Sequence, residues 1–212
     1  MISVNTGTGR DASWAGRLGR TAIDKRPVTG PVRVGTLGLA GDEQADTANH
    51  GGPDQAVYAY AREDLDWWVE QLARDLPDGT FGENVTTAGL EVTGALIGEI
   101  WRLGTALVQV VSVRIPCAVF QGWLGEKHWV KRFAAAGRPG AYLRVLEEGA
   151  VAAGDPVTVV SRPDASVTVA EAMRAFYGDA ALMRRLLQVE GRAAGWDDAA
   201  LSVLGRAVPE PV

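Results

Sequence analysis

The sequence predicts a mainly-β chain, a strongly curved sheet or barrel with a few helices, followed by a small unit of three helices. Three observations carry that expectation. Short runs rich in Val, Ile, Tyr and Trp recur up to about residue 162, and most of the 26 glycines fall at the joints between them. After "SRPDAS" the texture turns helical.

In order, "PVRVGTL", "QAVYAYA", "GEIWRLG", "ALVQVVSVRI", "GAYLRVLEEG" and "DPVTVVSR" read as strands. One helix interrupts them. "REDLDWWVEQLARD" places Leu65, Trp68, Val69, Leu72 and Leu76 on one face, with Glu63 and Asp64 near its positive N-terminal end. Pro77 and the Asp78-Gly79 pair stop it. A second helical piece runs through "KHWVKRFAAAG". In the tail, "TVAEAMRAFYG" opens with Thr168 and Glu171 at capping-box spacing, with Met173 and Phe176 in helical period. "DAALMRRLLQVE" and "DDAALSVLGRAV" are two more amphipathic segments, and three such short helices are expected to pack together as a bundle. The expected domains are residues 1–162 and 163–212.

Composition narrows the function. Hydrophobic residues make up 47% and charged residues 22%, as in a globular protein with a core. A net charge of −5 speaks against a nucleic-acid polymer as partner, although a local basic cluster can still hold a small anion. One cysteine forms no internal disulfide, which fits a reducing, cytoplasmic location. The N-terminus lacks a basic stretch followed by an apolar run, and residues 96–120 are broken by Glu99, Arg102, Gln109 and Arg114, so neither a signal peptide nor a membrane span is expected. Two familiar motifs fail. "GTGR" lacks the Gly-Lys-Ser/Thr of a phosphate loop, and "GTLGLAG" is not a dinucleotide fingerprint. His50, His128 and Cys117 are too few for a structural zinc site.

Four stretches remain as candidates. In "SVRIPCAVF", Pro116 cannot donate a ladder hydrogen bond, so the strand should end or bulge there and deliver Cys117 to a loop. Cys117 is either a small buried hydrophobe or a thiolate favoured by Arg114, which an ideal strand would point to the other face. "GDEQADTANHGGPDQAVYAY" is either a surface connection or a loop whose backbone at His50 and Gly51 approaches a ligand. In "FGENVT", Asn84 suits both a turn and the ring edges of a pterin or purine. "GRTAIDKRPV" concentrates Arg20, Lys25 and Arg26 around Thr21, as a solvated charged face or as a phosphate clamp.

Taken in order, these stretches resemble the MOSC family, named for the C-terminal domain of molybdenum-cofactor sulfurases. The likeness runs from "TAIDKRPVTGPV" through "HGGPDQAVYAY", "FGENVTTAGL", "IGEIWRLG" and R-x-P-C to "AYLRVLEEGAVAAGD", roughly residues 18–162. The helical tail resembles the "3-alpha" domain of a bacterial branch associated with resistance to 6-N-hydroxylaminopurine. The resemblance implies a MOSC-type β-barrel holding a molybdenum cofactor (molybdopterin). Cys117 matches the cysteine that ligates molybdenum in amidoxime-reducing members, a soft donor suited to that metal. Thr21, Lys25 and Arg26 match the family's basic segment, His50 and Gly51 its His-Gly-Gly, Asn84 its Gly-Glu-Asn, and Arg114 its R-x-P-C. The function so implied is a reductase of N-hydroxylated small molecules. A lone cysteine cannot hold an iron–sulfur cluster, so electrons are expected from a separate flavoprotein or iron–sulfur reductase. A carrier that holds a persulfide or the cofactor at Cys117, and a binding barrel with an inert Cys117, are the alternatives.

Overall fold

The computed structural model describes residues 1–45 and 51–206. The chain opens with β1 (Ser3–Thr6), the short pair β2 (Arg10–Asp11) and β3 (Arg20–Thr21), then β4 (Arg26–Pro27), β5 (Val32–Gly35) and β6 (Gly38–Leu39). β7 (Val57–Ala61), α1 (Arg62–Leu72) and β8 (Val85–Thr87) follow, then the hairpin of β9 (Ile100–Leu103) and β10 (Ala106–Val113). Two short helices, α2 (Ala118–Leu124) and α3 (Trp129–Ala136), lead to β11 (Ala141–Glu147), β12 (Gly149–Val151) and β13 (Val157–Ser161). The tail holds α4 (Val169–Phe176), α5 (Ala180–Leu186) and α6 (Gly195–Arg206).

Eight strands form one sheet in the order β13-β9-β10-β11-β7-β8-β1-β4. Its strands pair antiparallel except β7 and β8, which run parallel and are joined through α1. β12, β5 and β6 make a second, smaller sheet. The mainly-β class with helices holds, but among the described residues the large sheet does not close into a barrel. Its edges are β13 and β4, and β4 is two residues long and ends at Pro27, which has no N–H to offer a further strand.

Burial follows position in the sheet. All five residues of central β7 are buried, as in a strand covered on both faces. β10 alternates buried and half-buried residues until Val110 and Val111, which are both buried. The register slips there, with Val110 opposite Leu143 and Ser112 opposite Tyr142, so Val111 is the extra residue of a bulge. Its carbonyl accepts the Ala193 N–H at 3.0 Å and the Trp196 indole N–H at 3.1 Å. The tail therefore docks on the bulge. Val167, Val169, Met173 and Trp196 lie in one buried cluster with Trp101, Val110 and Val111 of the sheet.

The expected helices form. Leu65 and Trp68 of the α1 face are buried, and Val69 and Leu72 pack against the core, while Leu76, expected on the same face, is buried beyond the helix, which ends at Leu72. Thr168 and Glu171 make the reciprocal capping box. Helix α2 is an addition, because its seven residues continue an apolar run that reads as strand and include Gly122, a weak helix former.

α1, α2 and α3 meet in an aromatic cluster. Phe81 is its hub, with ring centroids 5.2 Å from Tyr60 and Phe120, 5.6 Å from Trp129 and 5.9 Å from Phe133. Trp68 stacks on Phe133 at 5.9 Å. Phe81 anchors the turn that carries Gly82, Glu83 and Asn84. Phe81→Ala should therefore cost about 3–5 kcal/mol in urea denaturation, the range for removing a buried phenylalanine. A cost under about 1 kcal/mol would show that the cluster collapses around the gap and that the turn does not depend on it.

Candidate functional site

β10 ends at Val113, and the next four residues bring Arg114 and Cys117 to the wall of one cleft. The ladder ends at Val113, three residues before Pro116, and Cys117 is the N-cap of α2 rather than part of a longer loop. Because both residues lie past the end of β10, strand alternation does not separate the two side chains. The cleft, of about 130 Å³, is also lined by Thr21, Lys25, Gly51 and Asn84. Four segments distant in sequence thus converge. Arg26 does not line the cleft; it lies exposed on β4 and pairs with Asp24 at 2.6 Å. His50 lies outside the described residues.

Lys25 forms an ion pair with Asp42 in which both side chains are under one tenth exposed, at 9% and 6%. Asp42 Oδ1 also accepts the Gly7 N–H at 2.8 Å, and Oδ2 accepts Asn84 Nδ2 at 2.8 Å. Burial pushes the Lys25 ammonium below its usual pKa, while Asp42 pulls it the other way. Asn84 accepts the Tyr58 N–H at 3.0 Å and donates to the Asn5 carbonyl at 3.4 Å as well as to Asp42. Its amide is a cross-link between β7, β1 and the Asp42 loop, rather than a group waiting for a ring edge. Thr21 accepts the Ile23 N–H at 3.2 Å.

Arg114 differs from the other cations. Arg20, Lys25 and Arg26 each meet a carboxylate, Glu43, Asp42 and Asp24. Arg114 makes no ion pair among the described residues. It is 9% exposed, and its guanidinium carbon sits 4.3 Å from the Phe120 ring centroid and 5.1 Å from that of Tyr58. It interacts electrostatically with Tyr142 and Cys117, and keeps a buried Nε–H with no partner. Burial raises the Tyr142 hydroxyl pKa, so the phenol holds its proton. A cation stacked on rings, short of a partner and beside a thiol is equipped to take an oxyanion.

The sequence reading missed Asp42, Tyr142 and Glu83. Asp42 was visible only as part of a Gly-Asp turn, and its partners lie 17 and 42 residues away. Glu83 is fully buried between Gly82 and Asn84. Its carboxylate accepts Gly79 N–H at 2.6 Å, Phe81 N–H at 2.9 Å and the Thr86 hydroxyl at 3.1 Å. The turn is tight as well: Gly79 has φ +88° and a Cβ there would lie 2.5 Å from the Lys25 carbonyl, while Gly82 at φ +75° faces Ile23. A glutamate between two turn residues was the available signal.

The MOSC domain model matches residues 46–158. YflK of Bacillus subtilis is 38% identical over 194 residues, covering 92% of this chain and 88% of that protein. YiiM of Escherichia coli is 35% identical over 186 residues, covering 83% and 81%. A protein of Gibberella moniliformis named a reductase is 32% identical over 167 residues, covering 77% of this chain but 29% of its own. Among solved structures, YiiM of Geobacillus stearothermophilus superposes with a TM-score of 0.79 at 30% identity, over 96% of this chain and 97% of that one.

The buried turn carries a pH signature. Burial raises the Glu83 carboxyl from 4.5 to about 7, against the lowering effect of its N–H and O–H donors. The folded-state value lies above the unfolded one, so the folded chain binds the extra proton between those pH values. The contribution is fully present below about pH 4.5 and is lost as pH rises through about 7, in total about 3 kcal/mol. Urea titrations from pH 4.5 to 7.5 should show this fall in the wild type relative to Glu83→Gln. Parallel curves for the two proteins would assign the slope to other groups.

Proposed function

The chain belongs to the MOSC domain family, and from that premise we propose that it binds a molybdenum cofactor in the cleft and reduces N-hydroxylated compounds such as 6-N-hydroxylaminopurine. The observation that carries the reading is the pairing of Cys117 with Arg114 on one wall. The residues fit the group. A thiol is a soft donor suited to molybdenum, and a buried guanidinium with an unpartnered Nε–H suits the cofactor's phosphate. Among the comparisons, the fungal protein named a reductase supports the redox part of the proposal.

When bound, the cofactor would supply two-electron chemistry in which the N–OH oxygen leaves as water. The protein's own residues do the rest. Arg114 draws the phosphate end to the cleft wall, and Cys117 would hold the metal. Tyr142 keeps its proton and can donate a hydrogen bond near Cys117. The ion pair of Lys25 and Asp42, with Asn84, holds another part of the cleft lining in place. Leu18, Ile115 and Val119 give the cleft an apolar side on which a flat ring can lie. We expect the two electrons to come from a flavoprotein or iron–sulfur reductase, because the single cysteine here cannot itself hold a cluster. The net charge of −5 favours free bases or nucleosides over DNA or RNA. No described helix is long and apolar enough to cross a membrane, and a cytoplasmic location suits the lone cysteine.

The direct test is anaerobic. Cofactor-loaded, chemically reduced protein should convert 6-N-hydroxylaminopurine to adenine, and a cofactor-free control should not. No adenine above that control, with brisk turnover of a sulfur donor, would replace the reductase with a sulfur carrier. Cys117→Ser should abolish turnover in a folded protein, because a neutral hydroxyl is a poor substitute for a thiolate at a soft metal.

A companion measurement separates the two cations. Arg114→Gln should lower cofactor retention on dialysis by roughly tenfold or more, the loss of about 1.5–3 kcal/mol in charge-assisted hydrogen bonds. Lys25→Met should act chiefly on stability, because it strands the buried Asp42 carboxylate. Molybdenum per chain and the urea midpoint report the two effects. Full molybdenum in Arg114→Gln would remove the phosphate role from Arg114.

A further inference from the structure

Asp54 lies in the 3-10 turn Pro53–Gln55, between Gly51 and Gln55, which both line the cleft. It was not among the residues expected at the site. Two N–H groups of Arg144 converge on its Oδ1, from Nε at 2.7 Å and from Nη2 at 2.6 Å. This leaves Oδ2 for the backbone N–H of Ala194 at 3.1 Å, in the link between α5 and α6. Arg144 also reaches the carbonyls of Gly191 and Arg192, each at 3.4 Å. One carboxylate thus joins the cleft wall, the sheet and the tail.

The two ends of this tether are both tight. On the cleft side, the Gly51 N–H donates to Gln55 Oε1 and the Gly52 N–H to Gln44 Oε1, each at 3.2 Å, so the turn moves as a unit with Asp54. On the tail side, a Cβ at Gly191 would lie 2.5 Å from Gln109 Nε2, so the link is pressed against β10. On β11, Arg144 is two residues from Tyr142, which lines the cleft beside Arg114.

We propose that Asp54 is a positioning residue, which fixes the Gly51–Gln55 wall of the cleft against β11 and the α5–α6 link, so that the helical tail shapes the ligand site from a distance. The inference rests on the reading that the cleft is the ligand site. Nothing in it depends on which N-hydroxylated compound is reduced. Asp54→Asn is the informative change. The amide keeps one acceptor for Arg144 but turns a donor toward the Ala194 N–H, and the charge is lost.

The test uses the full chain in two states. In metal-free protein, hydrogen exchange of amides in residues 51–56 and 190–196 should rise together, about tenfold or more, in both Asp54→Asn and Arg144→Gln. β9 should be unchanged. The double variant should exchange no faster than the singles, because one tether can be cut only once. In protein made with molybdenum, metal retained after dialysis should fall several-fold in Asp54→Asn. Faster exchange in only one segment, additive effects in the double variant, or undiminished molybdenum would overturn the proposal. If the wild type itself binds no molybdenum, the cofactor reading fails, and the exchange pattern alone judges the tether.

Discussion

The geometry of the cleft depends on a pair of charges taken out of water together, Lys25 and Asp42. Neither ion could be buried alone, since the desolvation cost of an isolated charge far exceeds the marginal stability of a fold. Together, and with the Gly7 N–H and the Asn84 amide completing the carboxylate's partners, they hold the end of β1, the approach to β4 and the turn before β8 at one point. The same pairing matches the Lys25 charge inside the protein, although Lys25 still lines the cleft. A charge already matched inside the protein offers less to an incoming anion, and the proposed anion site is therefore Arg114, whose neighbours are rings and a phenol. The two cations of the cleft thus differ in what stands opposite each of them, a carboxylate for Lys25 and aromatic rings for Arg114.

Much of this fold was legible in the sequence because it is local. The α1 face, the capping box of α4 and the end of β10 before Pro116 are set by periodicity, by a three-residue spacing and by a missing N–H. Helix α2 was not legible, because seven residues with a glycine among them leave too little period to separate helix from strand. Closure of the sheet was also out of reach, since it turns on whether the first and last strands of the order meet, a matter of long-range register.

At the site, the motifs brought Thr21, Lys25, Gly51, Asn84, Arg114 and Cys117 to one place, and the assignment of work among them came only with the contacts. A lysine and an asparagine look like ligand-reading residues in a string of letters. Whether they are free to read depends on partners such as Asp42, Asn5 and Tyr58, which no local pattern announces. Glu83 is the sharpest case. As a charged residue in a glycine turn it reads as solvated, and it is instead the buried acceptor around which the turn folds.

The open sheet has a further consequence, for how the protein lives in a crowded solution. A sheet that does not close exposes rows of bonding groups along two margins, and such margins recruit strands from other chains. Here one margin is β4, only two residues long and finished by proline. The other is β13, where the register slips between Val159 and Ser161 and leaves Val160 as an extra residue that interrupts the flat edge. Both devices deny a second copy a straight template, so the fold can stay open without inviting its neighbours to extend it.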